Sequence, residues 1–217
     1  MIGLITSKQH EVALMRVHIV GAGNVGGSII RATTQVGHEV TVGVRNPDKV
    51  TALLEETGAT VLHSAEGADV VISTVPHSVA VALLPGLGLE GKVLIDASNP
   101  LSWEGGPVHA PPEGHASGAT HLQSLMPEAK VVKAFNTFGA EHSTLTANAE
   151  RPLDHFIAGD DTEAKALVSD LLKSLNMRPI DLGPLRNATT LEHLAVAWIH
   201  LAMPAGWGRG IKLAVLD

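Results

Sequence analysis

The chain has no cysteine. Disulfides, thiolate metal centres and cysteine nucleophiles are therefore excluded together, and the composition suits a reducing, cytoplasmic setting. Charge is scarce as well: Asp, Glu, Lys and Arg make up 17% of the 217 residues, and 15 basic side chains against 22 acidic ones leave a net charge of −7. That balance argues against a nucleic-acid or anionic-membrane partner. No apolar run approaches the roughly 18 residues that a spanning helix needs. Residues 1–14, MIGLITSKQHEVAL, lack a basic start followed by an apolar run and do not read as a signal peptide. They are expected to be a marginal extension, because Met15 opens MRVHIVGAG as a natural start directly at a first strand. No Ser-His-Asp spacing suggests a hydrolase. Of the 12 histidines, His109, His115 and His121 fall in or beside a loop with no matching carboxylate spacing, so no metal site is expected.

Apolar residues, in contrast, make up 45% of the chain, enough for a sizeable core. They come as short β-branched runs alternating with helical stretches. Strands are expected at Val17–Val20, Glu39–Val44, Thr60–Leu62, Asp69–Val75, Lys92–Asp96 and Lys130–Phe135, with a first helix over Asn24–Val36 and a second opening at Pro47. Alternation of this kind implies βαβ units and an α/β fold, a Rossmann-type doubly wound parallel sheet. Runs such as VVISTV are apolar throughout, as strands covered on both faces should be. Pro100–Gly118, rich in Gly, Pro and His, reads as a long loop. A further strand–helix–strand stretch spans His155–Ala158, 161–175 and Arg178–Asp181. The last helix, Leu191–Met203, is apolar on nearly every side, with Leu191, Leu194, Trp198 and Leu201 on one stripe; a subunit interface, hence a homodimer, is expected there. The domain reading is a dinucleotide-binding unit over 15–139 and a small C-terminal extension over 140–217.

Gly21-Ala22-Gly23-Asn24-Val25-Gly26 is a G-x-G-x-x-G that follows a strand and opens a helix inside a βαβ unit, the context in which the motif cradles a pyrophosphate. Gly21 permits the tight turn, Gly23 lets the backbone approach the phosphates, and Gly26 brings helix and strand together. At the end of strand two, roughly 20 residues on, NAD binders carry an acid for the ribose hydroxyls. Here the segment is Val44-Arg45-Asn46-Pro47, and no carboxylate comes before Asp48. Arginine pairs bidentately with phosphate, and Lys49 can add a second charge, so NADP(H) is expected.

Ligands of such sheets lie outside the carboxyl ends of the strands. Those ends are Val75-Pro76-His77, Ala97-Ser98-Asn99-Pro100 and Ala134-Phe135-Asn136-Thr137. Asn99 and Asn136 are candidate amide hydrogen-bonding groups or loop caps; His77 reads more readily as a solvated loop histidine than as an acid or base; Lys133, inside a strand, is expected to point away from the site. No catalytic side chain is identified. Alcohol oxidation needs a proton acceptor beside the hydride donor, whereas transfer between two cofactors needs little beyond stacked, oriented rings.

MRVHIVGAGNVGGSI, VGVRNPDK, KAFNT, AGDDTEAKALV, RPIDLGPLRNATTLEHLA and GWGRGIKL together resemble the NADPH-dependent reductases of the deazaflavin coenzyme F420, over about Met15 to Leu213. The resemblance implies a Rossmann-type domain with a short C-terminal extension, a homodimer, and direct hydride transfer between NADP(H) and F420 or a flavin as second substrate. By position it implies Gly21, Gly23, Asn24, Val25 and Gly26 at the pyrophosphate and Arg45 and Lys49 at the 2′-phosphate. Ala134 to Thr137 and Gly206 to Gly210 would border the second ring. Val44 stands where the family usually has serine, His77 where archaeal members carry tryptophan, and DASNP resembles a broader bacterial group. The competing readings are an NADPH-dependent reductase of a small carbonyl or imine, a reductase of a metal chelate, and a non-enzymatic NADP(H) sensor.

Overall fold

The computed structural model describes residues 13–137, 139–140 and 152–216, so most of the expected N-terminal extension lies outside the described residues. Strand β1 (Arg16–Val20) runs into helix α1 (Asn24–Gln35), and β2 (Glu39–Gly43) lies parallel to β1, pairing Val17 with Val40 and Ile19 with Val42. A 3-10 turn over Pro47–Val50 and helix α2 (Thr51–Thr57) lead to the two-residue strand β3 (Thr60–Val61) at the sheet edge. The chain then crosses back to β4 (Val70–Ser73) on the other side of β1, pairing Val17 with Val70. Helix α3 (His77–Leu83), β5 (Val93–Asp96), helix α4 (Gly118–Leu125) and β8 (Lys130–Lys133) extend the sheet outward. The reversal between β1 and β4 opens a crevice at their carboxyl ends, the switch point where doubly wound sheets take ligands.

Two features depart from the sequence reading. Pro100–Gly118 is not an unstructured loop, because β6 (Leu101–Trp103) and β7 (Pro107–His109) close into an antiparallel hairpin. And the parallel sheet does not continue: β9 (Leu153–Gly159) joins β8 antiparallel, with helix α5 (Thr162–Ser174) and then β10 (Met177–Asp181) parallel to β9. The eight strands run β10-β9-β8-β5-β4-β1-β2-β3. No helix among the described residues is long and apolar enough to cross a membrane.

Burial on both faces follows from the uninterrupted apolar runs: all four residues of β4 and all four of β5 are buried. Ile19, Ile72, Ile95 and Val132 face one layer with Ile29, Ile30, Val168 and Leu171, while Val71, Leu94 and Val131 face the other with Leu84 and Leu122. Helix α6 (Ala188–Ala202) packs through Leu191, Ala195, Trp198 and Ala202, whereas Leu201 of the expected stripe faces outward.

One inward residue of α6 is charged. Glu192 and Asp96 flank the Lys133 ammonium, which lies 2.9 Å from Glu192 Oε1 and 2.8 Å from Asp96 Oδ2, all three side chains having no exposed surface. Lys133 also donates to the Ser98 carbonyl. Far from pointing away, it runs beneath a predicted site residue, and the two carboxylates hold its pKa above the ordinary value against the pull of burial. Glu192 further accepts from the Gly118 N–H at the start of α4 (3.0 Å) and contacts His109 Nε2 in β7 at 2.7 Å. One glutamate thus fastens α4, the hairpin and α6 to the sheet. Buried ion pairs add little stability relative to a well-packed apolar core, but loss of one partner leaves an uncompensated charge and costs about 3–5 kcal/mol.

A second buried polar contact shapes the turn after β8. Phe135 is left-handed, φ +59°, and its N–H donates to His155 Nε2 in β9 at 2.6 Å. That nitrogen must be unprotonated to accept. Complete burial pushes the His155 pKa down from 6.5 to about 3. The native state therefore refuses a proton that the unfolded chain accepts, so the stabilisation is present in full above pH 6.5 and declines as pH falls toward 3. The slope expected from this group is about 1.4 kcal/mol per pH unit. Urea unfolding between pH 7.5 and 5 should show stability falling with pH, and His155→Gln, which keeps an acceptor that does not titrate, should flatten the slope; an identical slope in the variant would refute the assignment.

Candidate functional site: a dinucleotide crevice

The glycine turn is built by close contact. Gly21, at φ +98°, is in a conformation that side chains disfavour, and an added Cβ would lie 2.8 Å from Val75 Cγ1 and 2.9 Å from Thr74 Oγ1. A Cβ on Gly26 would lie 2.2 Å from the Gly21 carbonyl oxygen, so α1 can sit this close to β1 only with glycine there. Thr74, which the sequence reading left unassigned, stitches the turn together: its hydroxyl is 3.1 Å from both the Val20 and the Gly21 carbonyls. Gly23 is different in kind. A Cβ there meets nothing within 4 Å, so the space above it is open.

Gly23 also caps α1, and among the described residues no side chain caps that helix; nor does its first turn contain an acid. Such a terminus presents unsatisfied donors and positive potential to whatever lies above it. What lies above is a cleft of about 960 Å³, lined by Ala22, Gly23, Asn24, Gly27, Ser28 and Arg31 of the turn and α1, by Lys49, Val50, Ala52 and Leu53 from the segment after β2, and by Ala140 and Arg209. In a chain of net charge −7, the described residues of this lining include three cations and no carboxylate. The structure thus brings Gly23, Asn24 and Lys49 together around one space and sets Gly21, Gly26 and Val75 behind it.

At the end of β2, Val44 packs against the core, while Arg45 is exposed and is not one of the residues that line the cleft. The Asn46 side chain accepts from the Asp48 N–H at 3.1 Å, capping the 3-10 turn that carries Lys49. Arg31 was not identified from sequence, because a lone arginine in mid-helix carries no motif; it is tied to Glu56 at 2.7 Å on an exposed face. Arg209 was included only within a glycine-rich stretch expected at the second ring.

The other strand ends converge next to the first. Asn99 Nδ2 donates to the Asn136 carbonyl and Asn136 Nδ2 donates to Asn99 Oδ1, each at 2.9 Å, and Asn136 Nδ2 is also 3.0 Å from the Leu191 carbonyl. These two asparagines, paired across the ends of β5 and β8, cap one another. Ser98 Oγ and Asn136 Oδ1 are buried without a hydrogen-bond partner among the described residues, a costly state that a ligand group or water would relieve. Ala134 and Thr137 are buried beside them.

Pro76 and His77 open α3. His77 is half-buried rather than a solvated loop residue: its Nε2 is 3.1 Å from His121 Nδ1, and its Nδ1 is buried without a partner among the described residues. His115 stacks on His121 with ring centroids 4.5 Å apart. Burial lowers the pKa of His77 and of His121, and the neighbouring histidine lowers each further. His109, which lacks a carboxylate at matching spacing in sequence, receives one from α6 in Glu192.

Comparison with known proteins agrees with this geometry. The family model described as NADP oxidoreductase coenzyme F420-dependent matches residues 16–100, from β1 to just beyond β5. The F420-dependent NADP reductase of Methanothermobacter marburgensis is 28% identical over 207 residues, covering 86% of this chain and 92% of that protein. Metalloreductase STEAP3 of Rattus norvegicus is 31% identical over 180 residues, and the chain spans only 36% of that relative's length. Among solved structures, a protein from Arthrobacter sp. FB24, inferred to be an F420-dependent NADP reductase, superposes with a TM-score of 0.80 at 32% identity, covering 94% of this chain and all of that one. The glycine turn, the cationic crevice and these similarities lead to one conclusion: the chain belongs to the coenzyme F420-dependent NADP oxidoreductase family.

Proposed function

We propose that the chain is an NADP(H)-dependent oxidoreductase that passes hydride between NADP(H) and a deazaflavin such as F420, or a flavin-like acceptor. The observation that carries this reading is the cleft above Gly23, open where a side chain would fill it, bordered by the N-terminus of α1 and carrying, among its described lining residues, cations and no carboxylate. A dinucleotide diphosphate fits that chemistry. Residues 15–139 would hold NADP(H), with the backbone of Gly21, Gly23, Asn24, Val25 and Gly26 at the pyrophosphate and Val44, Arg45, Asn46 and Lys49 around the 2′-phosphate. Val75, Pro76 and His77, with Ser98, Asn99, Ala134, Asn136 and Thr137, would border the ribose and nicotinamide, and residues 140–217 would supply the second-substrate side.

The bound cofactor supplies the hydride, so the residues around it need only hold, orient and exclude water. Asn99 and Asn136 are held rigid by their mutual bonds, and the buried Lys133 beneath Ser98 fixes the floor on which a ring would lie. The deazaflavin acceptor is supported by similarity to the Methanothermobacter marburgensis reductase across nearly its whole length. A metal chelate is the second reading, favoured by the similarity to the metalloreductase. A homodimer contact is supported by the apolar side chains left exposed at the end of α6 and beyond, Leu201, Met203 and Trp207. Light scattering should return twice the chain mass; a monomer at all concentrations would remove this proposal.

Under anaerobic conditions, NADPH and the purified protein should bleach the deazaflavin absorbance of F420. Tight NADPH binding with no bleaching would overturn the deazaflavin assignment. FMN and a ferric chelate, tested alongside, discriminate the other acceptors, and binding without turnover on all three would leave a sensor. For the cofactor itself, Arg45→Glu should weaken NADPH binding by about 2–3 kcal/mol, the scale of a lost charge-assisted pair, while NADH binding changes little. Calorimetric titration giving equal NADPH affinity in the variant would refute Arg45 as the phosphate reader.

A further inference from the structure

Arg31 carries no motif, yet it lines the cleft together with Lys49. Its Nε and Nη2 groups donate to the two Glu56 carboxylate oxygens at 2.7 and 2.8 Å, so Glu56 holds one edge of the guanidinium in a bidentate grip. Glu56 belongs to α2 and is not one of the residues that line the cleft. The third nitrogen, Nη1, lies back over the preceding turn of α1. It is 3.5 Å from the Gly27 carbonyl, a long contact, and a Cβ added to Gly27 would lie 3.6 Å from it. The same Cβ would lie 3.6 Å from Leu53 Cδ2 of α2. Gly27 and Leu53 both line the cleft, so Nη1 stands on the cleft side with two N–H groups, and the long contact to Gly27 takes at most one of them.

Lys49 reaches the same space from the 3-10 turn after β2. Asn46 fixes that turn by accepting from the Asp48 N–H at 3.1 Å, and Val50, Ala52 and Leu53 continue the lining into α2. The position of Arg31 along α1 is equally defined. Gly27 is one turn in from Gly23, to whose carbonyl its N–H donates at 2.7 Å. The Arg31 guanidinium therefore lies beyond the first turn of α1 and beside α2, in the part of the cleft that the segment after β2 also borders.

We propose that Arg31 is a specificity residue, binding the 2′-phosphate of NADP(H) together with Lys49. This rests on the cofactor reading above and deepens it. A dinucleotide lays its pyrophosphate over the helix N-terminus and its adenosine ribose at the end of the second strand. Arg31 stands past the N-terminal turn on the α2 side, which is the ribose half. Chemistry points the same way. Each phosphate of the diester bridge carries one charge and meets backbone donors, whereas a phosphate monoester approaches two charges near neutral pH and calls for more than one cation. Arg31 offers N–H groups in a fixed plane, and Lys49 a compact charge on a flexible stem that can turn to meet the same oxygens. NADH, without the monoester, offers nothing to either side chain.

Calorimetric titration with NADPH, NADH and 2′-AMP separates the phosphates, since 2′-AMP has the monoester and no diphosphate. Arg31→Gln should bind NADPH and 2′-AMP each about tenfold more weakly, the scale of one lost bond to a charged group, with NADH affinity unchanged. The ion pair it breaks is exposed and contributes little stability, so the variant should fold. Arg31→Lys, which keeps the charge without the planar fork, should lose part of that factor on the same two ligands. Glu56→Gln separates the guanidinium from its ion pair: it removes the carboxylate but leaves Arg31, and NADPH affinity should be retained or raised. Unchanged NADPH affinity in Arg31→Gln, an equal loss for NADH, or a loss in Glu56→Gln as large as in Arg31→Gln would each overturn the assignment while leaving the cofactor reading in place. Failure of the unaltered chain to bind NADPH would overturn both.

Discussion

The crevice depends on how closely α1 can approach β1. With the Gly26 Cβ position 2.2 Å from the Gly21 carbonyl, no side chain fits, and the contact sets both the angle of the helix and the height of its N-terminus above the sheet. Thr74 ties the same turn to β4, and the Gly21 N–H donates to the Gly43 carbonyl of β2. Three strands therefore converge on one glycine turn. A small retreat of the helix would remove the donors from reach of a phosphate, because hydrogen bonds weaken steeply beyond about 3.2 Å. The apolar core on both faces of the sheet maintains that approach, since Ile29 and Ile30 of α1 pack on Ile19 and Ile72 with no exposed surface.

The ring-side half of the crevice is fixed by other means. There the strand ends are held by buried polar groups: Lys133 with Asp96 and Glu192, His155 with the Phe135 N–H, and the Asn99–Asn136 pair. Packing is non-directional, whereas a hydrogen bond or a buried ion pair accepts only a narrow geometry. A left-handed Phe135 and two reciprocal asparagines specify a particular loop shape. The cost is sensitivity. Each of these groups is expensive to leave unpaired, and His155 must also remain neutral.

Those two kinds of order explain what was legible in the sequence. The fold through β5 and the glycine turn were readable because they follow from local pattern: apolar runs at strand length, and three glycines spaced between a strand and a helix. The hairpin inside Pro100–Gly118 was not readable, because its strands are three residues each and owe their place to Glu192, 83 positions from His109. Lys133 looked like a stray charge in a strand for the same reason; its two partners lie on other elements. The antiparallel entry of β9 left no local mark either, since a strand buried on both faces reads alike in either direction.

Charge placement shows the same division between local and distant determinants. The acidic residues of the chain outnumber the basic ones, yet the described residues of the cleft lining include Arg31, Lys49 and Arg209 and no carboxylate, beside the α1 terminus. A negative surface around a positive crevice repels polyanions such as nucleic acids while admitting a small anionic ligand at short range, where the local field outweighs a screened distant one. Arg31 is tied to Glu56, and the two other cations of the lining, Lys49 and Arg209, come from segments far apart in the chain. One of them follows β2 by a few residues and belongs to the motif. The other stands over the ring of Trp198 on the last helix, whose indole N–H donates to the Ile211 carbonyl.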